Sequence, residues 1–337
     1  MLSKIKSLFQ TKKNRLDYID TLKGVCILFV VFTHMKWSDS DRLLLGFPFW
    51  IAMAVPIFMI LSGFLYSKRF EKCESNSLAS FFTPKAIISS LLRFALPFLL
   101  IFPFEIRWAF KHGEATGFRD CILGFIQGGY GPGGYYICMM FQFVLLFPII
   151  WYVIKRWRIR GFTFIFLINV IYEVIQWRLS MNDEVYRLVI LRYLSMISFG
   201  ALLTQNALPF TRVTTLGIFF IGIGYIVSNS YLDVRPFFIT HGAGVCLFAG
   251  LYAMVLVTFW LKLKPSNRIL AIIGTASYEI FLFQKIFYLL WARKILKHLP
   301  NFPLQCVIAL TICVSIGIIT HYLNTKPFSS LIKRLRR

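Results

Sequence analysis

The sequence predicts an all-α protein: a polytopic transmembrane helical bundle of about ten helices, with the N- and C-termini both cytoplasmic. Three observations predict it. The chain of 337 residues is 58% hydrophobic and only 15% charged, with a mean hydropathy of +0.68. A water-soluble domain needs a charged surface around its core and does not reach that balance. The apolar residues fall into successive runs of about 18–24 residues, long enough for a helix to cross the ~30 Å hydrocarbon layer. Lys and Arg collect in alternate connections, as they do in short cytoplasmic loops.

In chain order, spans are expected at 20–37, 46–66, 86–104, 135–154, 161–179, 186–204, 212–230, 238–261, 270–291 and 303–323. The region 105–134 is too rich in glycine at its end to form a clean span. A basic N-terminal segment, 1–19, carries Lys4, Lys6, Lys12, Lys13 and Arg15, and a basic tail, 324–337, carries Lys326, Lys333, Arg334, Arg336 and Arg337. With both ends inside, alternation also places inside the loop with Lys68, Arg69, Lys72 and Lys85, the stretch KRWRIR at 155–160, and the loop with Lys262, Lys264 and Arg268. Arg293, Lys294 and Lys297, in the last outer loop, run against this pattern. The formal charge of +23 then reflects topology and anionic lipid headgroups rather than nucleic acid. The apolar run after the first basic segment ends in HMKW with no small-residue cleavage site, so the first span is expected to stay in the protein.

Cofactor and metal signatures are missing. Of seven cysteines, Cys26, Cys138, Cys246, Cys306 and Cys313 lie in predicted spans with no CxxC pair, and read as small packing residues. The sequence has no Walker-type glycine loop, no HExxH and no paired metal-ligand spacing. Any chemistry must use polar residues scattered through the spans, each of which is costly in lipid and therefore informative.

The first span concentrates them. In DTLKGVCILFVVFTH, Lys23 and His34 are eleven residues apart, which on an α-helix is about 20° from the same face and roughly 16 Å along the axis. Asp20 lies one turn before Lys23, near the cytoplasmic surface. His34, at the far end, is a candidate general base, because imidazole takes and returns a proton near neutral pH. Its alternative role is to hydrogen-bond a carbonyl at the helix end. Lys23 and Asp20 have an alternative too, as an interfacial pair capping the helix start. Glu173 and Arg192 sit at matching depths in adjacent spans and are expected to form an intramembrane ion pair. The stretch GGYGPGGYY offers tyrosine faces on which sugars stack, and is expected to rim an acceptor site. Lys285, beside Gln284, is assigned no role.

RLDYIDTLKGVCILFVVFTH resembles the opening of the membrane acyltransferase-3 family, the bacterial integral membrane O-acyltransferases acting on carbohydrates. That family typically begins with Arg, ten residues, then His; Lys23 stands in the place of the Arg, keeping the charge and losing the bidentate fork. VPIFMILSGFLYSKR is similar to the family's next segment at Pro56, Phe58, Ser62, Gly63 and Phe64. LLRFALPFLL has its Arg-x-x-x-Pro spacing at Arg93 and Pro97, and GTASYEIFLFQKIFY its late Ser-Tyr segment, with Gln284 where His is often found. The resemblance runs along essentially the whole chain. It implies a transmembrane acyltransferase domain over 20–323, located in a bacterial cytoplasmic (inner) membrane. It implies transfer of an acyl group, commonly acetyl from acetyl-CoA, to a hydroxyl of a carbohydrate acceptor. His34 would then be the base with Asp20 beside it in the catalytic set, Lys23 and Arg93 would meet the phosphates of the coenzyme, and Ser277 and Tyr278 would line the substrate site. Arg93 alternatively snorkels to the headgroups, and Ser277 and Tyr278 alternatively bond between helices. A transporter or flippase of lipid-linked sugars would also bury polar groups among ten helices, but no paired, interrupted repeat relates the two halves.

Overall fold

The computed structural model describes residues 16–71, 78–205, 211–234 and 247–336, with the backbone alone at 80 and from 325 onward. Residues 1–15, which hold most of the basic N-terminal segment, and 238–246 of the eighth expected span lie outside them. Every regular element among the described residues is helical. The longer ones are α1 (Asp17–Thr33), α3 (Ala54–Phe70), α5 (Pro84–His112), α7 (Tyr135–Arg178), α9 (Leu194–Thr204), α10 (Arg212–Tyr231), α11 (Leu247–Leu263) and α15 (Phe302–Arg336). Between them lie the short α2 (Asp39–Leu44), α4 (Leu78–Phe81), α6 (Phe118–Gln127), α8 (Asp183–Leu188), α12 (Arg268–Thr275), α13 (Ser277–Ile286) and α14 (Ala292–Leu296).

Polarity is distributed as in a protein solvated by lipid. Large apolar side chains stand exposed along α5 (Leu99, Leu100, Phe104), α7 (Phe164, Leu167, Ile171) and α10 (Phe220, Ile221), while Glu105, Asn169, Arg192, Gln284 and Lys285 are buried. Apolar faces turned outward around polar contacts turned inward define a multi-pass membrane bundle. Among the described residues, five helices are long and apolar enough to cross a membrane, or six if α12 and the segment after it, bent by 65° to one another, count as one broken span. The expected count of about ten is not confirmed. The physical reasons are local: α1 has only 17 residues, the apolar helices Ile190–Thr204 and Leu247–Leu263 are shorter than a full crossing, and two expected spans lie within α7.

α7 runs for 44 residues but is not one rod. Arg158 adopts φ 45, ψ −114, outside helical geometry, and a Cβ on Gly161 would meet the carbonyl oxygen of Val153 at 2.7 Å. Eight residues of straight helix would separate them by about 12 Å, so the chain doubles back through KRWRIR, where the sequence placed a loop. Elsewhere, glycines let helix backbones touch. A Cβ on Gly24 would lie 2.1 Å from Leu270 O, and one on Gly274 1.8 Å from Asp20 O, so α1 and α12 meet glycine to backbone from both sides. Gly63 against Ile197 O and Gly200 against Ile60 O repeat the arrangement between α3 and α9, at 2.1 and 2.0 Å. Close approach of this kind is how helices associate where lipid removes the hydrophobic drive between them.

The expected Glu173–Arg192 ion pair is not formed. Both residues are buried, but Tyr186 stands between them: its hydroxyl donates to both Glu173 oxygens at 2.9 and 3.1 Å, and the Arg192 guanidinium lies over its ring, 4.6 Å from the centroid. Arg192 is also 4.9 Å from the Tyr193 ring centroid. Aromatic faces replace the carboxylate as its counter-charge. Tyr186, inserted by α8, is the residue that the spacing of the two charges does not reveal.

Candidate active site

The face of α1 predicted to carry the polar residues lines a cavity. Lys23, Ile27, Val30 and His34 follow one another along it at four-, three- and four-residue steps, which keeps them on one stripe of a 3.6-residue helix. The cavity encloses about 350 Å³, within the range of small-molecule sites. α3 closes it opposite α1, and Tyr136, Tyr278 and Phe281 supply much of the remaining wall. Lys23 sits toward one end and His34 toward the other.

His34 follows the last residue of α1, at φ −87, ψ 0. The carbonyls of that last turn are satisfied by others: Tyr288 donates to Val31 O at 2.7 Å and the Trp37 indole to Phe32 O at 2.9 Å. The backbone N–H of His34 donates to Phe32 O, but its imidazole makes no hydrogen bond among the described residues, so the carbonyl-binding role is not the one the side chain plays here. Its imidazole opens on the cavity, with the Tyr288 ring centroid 5.9 Å away. Lys23 Nζ pairs with Asp20 Oδ1 at 3.2 Å. Asp20 lies about 21 Å of helix from His34 and does not line the cavity, so it orients Lys23 rather than the imidazole.

The remaining expected residues divide. Ser277 and Tyr278 line the cavity at the break between α12 and α13. Tyr278 directs its proton to Phe94 O at 2.7 Å, which fastens α13 to α5 and leaves its ring as wall, whereas Ser277 makes no side-chain hydrogen bond among the described residues. Arg93 is exposed on α5; its neighbour Phe94, not Arg93, reaches the cavity.

The glycine-rich loop closes over the His34 end, held by Lys285, to which the sequence assigned no role, and by Glu105, which it did not single out. Glu105 and Lys285 are both wholly buried and paired at 3.2 Å. Glu105 accepts from the backbone of Tyr130 at 2.8 Å and of Gly131 at 3.3 Å, and Lys285 donates to Gly128 O. This pair therefore occupies the polar groups of the turn. Gly133, at φ +79, is the loop residue facing the site: a Cβ there would lie 3.1 Å from the Phe281 ring and 3.8 Å from His34 Nε2. The stretch expected to rim a site thus sets Tyr135 and Tyr136 in the cavity wall and also forms a clamped lid whose glycines permit close approach. Opposite charges were the available signal, but Glu105 lies just past the third expected span and 180 positions before Lys285, which gave no reason to pair them.

The helical bundle defines a class, a multi-pass membrane protein, and the cavity with a cation at one end and an imidazole at the other is its candidate site. Residues 16–321 match the acyltransferase domain model of the acyltransferase-3 family, and the chain belongs to that family and is an acyltransferase. No curated protein and no solved structure gives a significant match.

Proposed function

We propose that the chain is a membrane-bound O-acyltransferase that moves an acyl group, acetyl from acetyl-CoA, to a hydroxyl of a cell-surface or lipid-linked carbohydrate at a bacterial cytoplasmic membrane. The observation that carries this reading is the single cavity joining Lys23 to His34 along one face of α1. The acyl thioester on its pantetheine arm enters from the Lys23 end, where the ammonium meets a coenzyme phosphate as a point charge. Asp20 holds that ammonium in place. Arg93, outside the cavity wall, attracts the polyanion at the surface.

His34 accepts the proton of the acceptor hydroxyl as its oxygen attacks the thioester carbonyl carbon. The tetrahedral oxyanion so formed is met by the Ser277 hydroxyl and the start of α13, whose first backbone N–H groups carry partial positive charge. Collapse breaks the C–S bond, and the departing thiolate takes the proton from His34. Water is held off by the lid that Glu105 and Lys285 clamp.

A positioned general base contributes about 10²–10⁴ in rate, so His34→Ala is expected to lower acylation by that factor at unchanged protein abundance, read by mass spectrometry of surface glycans from cells expressing each form. Undiminished acylation would sink the assignment of His34. Loss of sugar movement across the membrane with acylation unchanged would point to a transporter instead.

A further inference from the structure

A second cavity of about 560 Å³ opens beside the His34 end, and it shares Thr33, Ile51 and Ala52 with the first. The two spaces therefore adjoin one residue from His34, where a neck at Thr33 would join them. Arg42, on α2, lines the second cavity. Its Nε is buried with no hydrogen-bond partner among the described residues, and it makes no ion pair there. The nearest carboxylate in sequence, Asp41, is engaged elsewhere: Ser38 donates to it at 2.6 Å, in the cap that fixes α2. Arg42 is also close enough to His34 for its charge to act on the imidazole.

The rest of the wall adds the opposite charge and a largely apolar surface. Asp39 and Asp233 bring carboxylates, and Tyr231 and Phe47 bring rings. Tyr231 donates to Leu43 O at 2.8 Å and so ties the end of α10 to α2. A fatty chain would use the apolar part of this wall, Leu43, Phe47, Pro48 and Ile51, but would not answer the charge of Arg42, and a simple anion would be repelled by the two acids. A saccharide fits it, because each hydroxyl is donor and acceptor at once and the ring has an apolar face for an aromatic.

We infer that this vestibule is the acceptor subsite: it holds a hydroxyl-rich saccharide from the side opposite the coenzyme, with Arg42 binding it so that one hydroxyl passes the Thr33 neck to His34. The inference rests on the carbohydrate reading above. A donor and an acceptor entering from opposite ends need not exchange places between turnovers.

The test uses the full chain purified in detergent, with acetyl-CoA and base-de-esterified surface glycan from cells lacking the gene as the two probes. Arg42→Ala is expected to raise the KM for glycan at least tenfold and leave the KM for acetyl-CoA within twofold, with Arg42→Lys between. Ser230→Trp, which fills the vestibule from α10, is expected to do the same without touching Arg42. A glycan KM within twofold of the unaltered chain in both variants overturns the subsite, as does a parallel rise in both KM values. If the unaltered chain acylates no glycan, the carbohydrate reading itself falls, which the variants alone would not reveal.

Discussion

At the scale of single residues, the chain uses buried charge for positioning. Glu105 and Lys285 are paired in an apolar surround, and each also carries hydrogen bonds to the loop 128–131. Removing one partner of such a pair leaves an uncompensated charge and costs about 3–5 kcal/mol. Lys285→Met is therefore expected to lower the thermal midpoint of the purified chain sharply. The double variant Glu105→Gln with Lys285→Met should recover most of the loss, since a neutral amide still accepts from Tyr130 and Gly131. If the double variant is less stable than Lys285→Met alone, the pair is not coupled in this way. The same logic separates His34, whose imidazole makes no hydrogen bond among the described residues, from Tyr278, whose proton is already directed to Phe94 O. A free imidazole on a cavity is available for chemistry; an engaged phenol is architecture.

At the scale of elements, glycine decides which helices touch. A Cβ on Gly274 would meet the Asp20 carbonyl at 1.8 Å, while Gly217 on α10 has open space around it. Gly274→Ala is expected to destabilise by about 1–3 kcal/mol or more, because a backbone atom cannot yield as a side chain does. Gly217→Ala is expected to be neutral or to stabilise by about 0.5–1 kcal/mol, through helix propensity alone. Thermal unfolding in detergent distinguishes them, and equal effects would contradict the α1–α12 contact. Much of this level was legible in advance. The 3.6-residue period places Lys23 and His34 on one face, and the basic run at 155–160 marks the reversal in α7. The break at Ala276 was not legible, since GTASYE contains nothing that forbids a straight helix; the bend comes from packing. Nor was the Glu105–Lys285 clamp, because periodicity describes one helix at a time and is silent about which helices become neighbours.

At the scale of the whole molecule, the two cavities give the bundle a direction, and the direction is testable apart from the chemistry. The α1 stripe begins at Lys23 and ends at His34, and the vestibule with Arg42 lies at the His34 end together with the ends of α2 and α10. The reversal in α7, with Arg156, Arg158 and Arg160, is expected by its charge on the cytoplasmic side. Leu44 is 85% exposed at the first end and Trp157 50% exposed at the second, so both tolerate a reporter. In a chain whose native cysteines are replaced by serine or alanine, Leu44→Cys is expected to react with a membrane-impermeant maleimide in intact cells. Trp157→Cys is expected to react only after permeabilisation. The reverse pattern would put the acceptor vestibule in the cytosol, where a surface glycan could not reach it. Labelling of both from outside would mean that α1 does not carry its polar face from one side of the membrane to the other, and the route from coenzyme to acceptor would be lost with it.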